Sequence, residues 1–138
     1  MTHPLLMNTG RTLLGLYFLL PGLMKIAAWD MHIEMMTTQG IPSTGALLAI
    51  ATAAEIIAGI FLILRIQVRV MSLGCALLVL VINVMMHNFW SFEGLAAAHE
   101  MQNFIKNLGI FAGLLVLAAA SPSRKLSFTN FWTRDVKV

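Results

Sequence analysis

Apolar residues gather in four stretches, at about 12–28, 44–64, 70–86 and 104–120, each roughly 17 to 21 residues long. Twenty helical residues span about 30 Å, the thickness of a bilayer's hydrocarbon core. A helix buried in a soluble bundle would keep a polar outer face at every third or fourth position. The third stretch, VMSLGCALLVLVINVMM, has none. The pattern therefore predicts an all-α fold: one domain over residues 1–138, built as a four-helix transmembrane bundle with a short polar lead and a tail over 121–138.

The connections carry their own signals. Pro21-Gly22 predicts a kink or an early end to the first helix. Between the first two spans, Asp30, Glu34 and Met35-Met36 predict a short amphipathic helix lying at the interface, ended by Gly40-Ile41-Pro42. Thr44 is placed to cap the second span. The five residues Arg65 to Arg69 form a tight turn, so the second and third spans pack antiparallel. His87 to Asn103 reads as an outer loop, and Ser121-Pro122 stops the fourth span. Gly109-x3-Gly113 and Ala54-x3-Ala58 with Gly59 allow close helix contact, within the bundle or in a homo-oligomer.

Composition sharpens the membrane reading. The chain is 59% hydrophobic and 11% charged, against about 45–50% and about 25% in soluble domains. Its net charge of +3 would suggest nucleic acid in a soluble protein, but the placement of the charges excludes that partner. Arg11, Arg65, Arg69, Arg124, Lys125, Arg134 and Lys137 gather at one end of the bundle, seven of the nine basic residues. Asp30, Glu34, Glu93 and Glu100 gather at the other, four of the six acids. The positive-inside rule then puts both termini in the cytoplasm, in a multi-pass protein of the inner membrane. Lys25 interrupts the end of the first apolar run, which is expected to be kept and not cleaved as a signal peptide. The basic, aromatic tail suits the inner leaflet or a soluble partner.

Chemistry enters with Glu55, an acid inside an apolar span, where a charge costs about 2.5 to 3.5 kcal/mol or more. Counted at 1.5 Å per residue, Glu55 lies about 15 Å from the cytoplasmic boundary, Lys25 and Asn83 about 21 Å, Lys106 about 22 Å and His87 about 27 Å. Each span thus offers one polar residue to the outer half: Lys25, Glu55, Asn83 and Lys106. One reading is structural: Glu55 pairs with a lysine, or is protonated and hydrogen-bonded, and fixes helix register. The other is a polar pocket walled by His87, Phe89 and Trp90. Two lysines against one glutamate would leave positive charge for a small anion, unless Glu93 and Glu100 neutralise it. A quinone head group is the second candidate occupant. No metal is expected: the four histidines form no ligand spacing, and Cys75 has no partner for a disulfide relay. Bis-histidine haem lacks two histidines at matched depth.

Several segments, in order and spacing, resemble the DoxX family of small four-helix membrane proteins. They are Arg11-Thr12-Leu13-Leu14-Gly15 with FLLPGLMK (18–25), Gly40-Ile41-Pro42, Glu55 with Ala58-Gly59, HNFW (87–90), and Glu100 followed by Lys106-Asn107-Leu108-Gly109. The resemblance covers roughly residues 10–120 and leaves out the tail. It implies the fold, and it marks Arg11 at the cytoplasmic boundary with Lys25, Glu55, His87, Trp90 and Lys106 as the residues to test. The family takes its name from the small subunit of a thiosulfate:quinone oxidoreductase. Other members resemble participants in oxidative-stress or sulfur redox assemblies, and wider relatives act in maturation or trafficking. The expectation is a membrane subunit of a redox assembly, with a protein partner handling electrons and no catalytic residue assigned. A scaffold or assembly factor without chemistry is the alternative; a small-solute transporter ranks behind both, since four helices leave a narrow path.

Overall fold

The computed structural model describes residues 3–124, 127 and 129–135. Lys125 and Lys137 of the charge pattern, and Phe128 of the aromatic tail, lie outside them. Five α-helices follow in order: α1 (Pro4–Ala27), α2 (Trp29–Thr38), α3 (Thr44–Leu64), α4 (Val68–Met86) and α5 (Gly94–Ala120), with one 3-10 turn at Phe89–Ser91 before α5. No strand occurs among the described residues; Ile66 and Arg134 form an isolated bridge.

Among the described residues three segments are long and apolar enough to cross a membrane: α3, α4 with its following turn, and α5. α1 and α2 meet at a 96° bend and make a fourth only when the bent pair is taken as one span. The short helix expected after the first span is α2. Gly40, at φ 72, ends it in a Schellman arrangement, with Gly40 N donating to Thr37 O and Ile41 N to Met36 O.

Helix ends depart from the hydropathy pattern where polar residues remain helical. α1 starts at Pro4, a proline at the first turn, so most of the expected polar lead is helix. α1 also runs through Pro21 to Ala27. α5 starts at Gly94 and takes up most of the expected outer loop, because Leu95 to Ala98 are strong helix formers. Thr44 is the first residue of α3, and its neighbour Ser43 holds the cap position without a side-chain bond.

α1 and α3 pack antiparallel along a seam with coiled-coil spacing. Arg11, Gly15, Phe18, Gly22 and Lys25 face Leu48, Thr52, Glu55, Gly59 and Leu62, each row stepping by four and three. Glycine makes the approach possible. A Cβ on Gly59 would sit 2.7 Å from Leu19 N and 2.8 Å from Gly15 O. One on Gly15 would sit 2.9 Å from Gly59 O. By contrast Gly109 and Gly113 on α5 have no such neighbour within 4 Å, so the GxxxG pattern there meets no other helix among the described residues. α4 joins the core through Val68, Cys75, Ala76 and Val79, and α5 through Leu114 and Leu117. α1 and α5 leave a groove of about 630 Å³ between them.

The turn between α3 and α4 is held by the tail. Arg65 and Gln67 both adopt left-handed backbone, at φ 64 and φ 48, which costs non-glycine residues roughly 1–2 kcal/mol each. Asp135 spans the turn from Arg65 to Val68. Its N donates to Arg65 O at 2.7 Å, its Oδ2 accepts from Val68 N at 2.8 Å, and its Oδ1 accepts from Arg124 Nη1 at 2.8 Å. Phe131 and Trp132 stack edge-on against Phe61. The described part of the tail is thus docked on its own bundle. Trp132 still presents 69% of its surface outward.

Candidate functional site

Glu55 meets Lys25. The α1–α3 seam brings Lys25 Nζ to 2.8 Å from Glu55 Oε1 and 2.7 Å from Oε2. Glu55 is 4% exposed, and the fork of two bonds neutralises it where an isolated carboxylate could not stay charged. An ammonium carries three donors, so one of Lys25's remains beyond the pair. At the other end of the seam, Arg11 is buried and its Nη1 donates to Leu62 O and, at 2.9 Å, to Ile63 O. It thereby joins Arg65 N on Leu62 O and supplies a donor to Ile63 O near the end of α3.

The α4–α5 pair carries a second polar set. Asn83, 1% exposed, donates from Nδ2 to Phe104 O at 3.1 Å and accepts from Asn107 Nδ2 at 3.1 Å. Tyr17 OH reaches across from α1 to Asn107 Oδ1 at 3.3 Å. One turn beyond Asn83, His87 Nδ1 lies 2.7 Å from Glu100 Oε2, and Asn103 Nδ2 3.5 Å from the same oxygen.

The four-residue polar layer expected from depth is therefore two separate pairings. Lys25 and Glu55 join α1 to α3; Asn83 joins α4 to α5. Lys106 belongs to neither: it is exposed on α5, and its neighbour Asn107 takes the inward position. The spacing Glu100, Asn103, Asn107 along one face of α5 is the sequence signal for that stripe. Trp90 is 58% exposed and stacks edge-on with Phe89 and Phe104.

A cavity of about 360 Å³ opens between α2, α3 and α4 at the Lys25 end. Lys25, His32 and His87 are its polar points; Met36, Leu48, Met86 and other apolar side chains wall it. Phe89 and Trp90, expected as walls, do not line it. His32 was not among the sequence candidates. It sits on α2, with Nδ1 2.8 Å from Ala28 O, one turn back along the chain. A carbonyl can only accept, so Nδ1 carries the proton and Nε2 is the remaining ring atom. Glu100 orients His87 in the same way. Among the described residues no three His, Cys, Asp or Glu side chains cluster to hold a metal.

The DoxX family model matches residues 6–88, more than half the chain, from the first turns of α1 to the end of α4. The chain belongs to the DoxX family. It is an integral membrane protein of that family, and α5 and the tail lie beyond the matched region. Among curated proteins it is similar to "Inner membrane protein YphA" of Escherichia coli (strain K12), 29% identical over 120 residues, covering 87% of this chain and 86% of the relative. No solved structure matches the chain significantly.

Proposed function

We propose that this DoxX protein is a membrane subunit of a redox assembly, and that the cavity beside Lys25 receives the head group of a quinone. The single observation that carries the reading is the cavity itself, with apolar walls and three polar points of complementary kind. A membrane-soluble ring with two oxygens fits such a lining. The remaining donor of Lys25 can bond a carbonyl oxygen. The Nε2 of His32 or His87 can accept a proton from a quinol hydroxyl, with Glu100 stabilising the resulting imidazolium at His87. Neutrality favours a quinone over a small anion: Lys25 is matched by Glu55, and the surplus charge expected from Lys106 faces away from the pair.

Electrons would pass to a protein partner. The inner membrane, named for the relative, is the proposed location, with the arginine-rich end and both termini in the cytoplasm. One-sided labelling of a cysteine placed at Asp30 reads that orientation; reaction from the cytoplasmic side overturns it.

The test of function is saturable binding of a short-chain ubiquinone to protein in nanodiscs. Ala51→Trp fills the cavity and is expected to abolish binding; His87→Gln is expected to weaken it about tenfold. Binding that does not saturate, or that ignores Ala51→Trp, overturns the reading. The second reading, a scaffold without chemistry, draws on the mutual satisfaction of Lys25 and Glu55, and it predicts partner capture with no quinone binding.

A further inference from the structure

The groove between α1 and α5 contains a charge without a carboxylate. Arg11 lines it, is 4% exposed, and its Nη1 bonds two backbone carbonyls. Its Nη2 reaches only the neutral Asn8 Oδ1, at 3.4 Å, and its Nε has no hydrogen-bond partner. No acid forms an ion pair with Arg11 among the described residues. Burying a guanidinium without a counter-ion is costly, and Arg65 adds a second positive field nearby. At this end of the bundle the described residues include five arginines, at positions 11, 65, 69, 124 and 134, against the single acid Asp135.

The space beside Arg11 is open. A Cβ on Gly10 would have no neighbour within 4 Å, and the same holds for Gly113 across the groove on α5. Above Arg11 the lining is apolar, with Leu14, Ile110 and Leu117, up to Tyr17, whose bond to Asn107 ties α1 to α5 and closes the top. From Arg11, at the boundary, to Tyr17 the groove rises about 9 Å along α1, which covers the lower part of one leaflet's roughly 15 Å of hydrocarbon.

We infer that this groove holds one anionic phospholipid of the leaflet on the Arg11 side. Its phosphate lodges in the gap beside Gly10 and accepts from the Nη2 of Arg11. One acyl chain rises between α1 and α5 and completes the edge at which the bundle does not close. Arginine suits this role because its planar fork still has donors left after capping α3. The site is separate from the cavity beside Lys25 and does not depend on the quinone reading.

Native mass spectrometry of the detergent-purified protein, titrated with phosphatidylglycerol or phosphatidylcholine, tests it. One retained phosphatidylglycerol per chain is expected, with at least about tenfold preference over phosphatidylcholine. Gly113→Leu blocks the chain slot and Gly10→Leu the phosphate gap; both point into open space, so helicity should persist while the retained lipid falls about tenfold. Arg11→Lys keeps the charge but loses the fork, and is expected to weaken retention as well. Equal retention of the two lipids overturns the inference. So does unchanged retention in folded Gly10→Leu and Gly113→Leu, or a dimer whose second copy fills the groove.

Discussion

Lys25 and Glu55 touch through two bonds in a seam that places glycine immediately beside them, with Gly22 against the Cβ of Glu55. A pair held this way does little for net stability, because removing both ions from water costs about what their attraction returns. Breaking it is another matter. Lys25→Met leaves Glu55 buried and alone, and should destabilise the protein by about 3 kcal/mol or more, read by thermal or denaturant unfolding in detergent. Lys25→Met combined with Glu55→Leu should recover most of that loss. Additive losses in the double variant would mean that the two side chains do not act as a unit. Glu55 was visible in the sequence as an acid in an apolar span, and Lys25 was in reach by depth. That Lys106 turns outward was not visible, because depth says nothing of azimuth: neighbours along a helix point about 100° apart.

At the scale of elements, the α1–α3 pair and the α4–α5 pair are built differently. The first closes through Gly15, Gly22 and Gly59, and backbone meets backbone. Gly59→Ala would push a Cβ into Leu19 N and Gly15 O, neither of which can swing aside, so the helices must part. About 1–3 kcal/mol of destabilisation is expected. Gly109→Ala has open space and should be neutral or stabilise by a few tenths to about 1 kcal/mol, since alanine is the better helix former. Unfolding of the two variants side by side checks both, and equal effects would contradict the seam. The α5 GxxxG pattern illustrates the limit of a motif. Small residues permit close contact, but the contact also needs a neighbouring helix facing them. The span α3 was legible to the residue, and α4 to within two, because the charged turn Arg65 to Arg69 cuts the apolar run on both sides. The start of α5 was not, since hydropathy locates the bilayer and a helix can continue past it.

For the whole molecule, the two pairs share one core but leave openings at opposite ends. One is the cavity among α2, α3 and α4 beside Lys25; the other is the groove between α1 and α5 at Arg11. A pocket near Lys25 and His87 was expected from the sequence, but with Phe89 and Trp90 as walls in place of α2; the groove was not legible, because it depends on which helices fail to touch. The 96° bend at Ala28 swings α2 across the bundle and brings His32 to the same space as His87, although 55 positions separate them. The tail's return to the α3–α4 turn is likewise non-local: Asp135 fits a backbone geometry that only the folded turn presents. Of the two openings, the one beside Lys25 is the proposed seat of the quinone head. The direct measurement is photolabelling in nanodiscs with a short-chain azidoquinone, followed by peptide mapping. Labels on α2 and the end of α4, around Met36 and Met86, that disappear in Ala51→Trp are the predicted result; labels confined to the α1–α5 groove, or no saturable label, would contradict it.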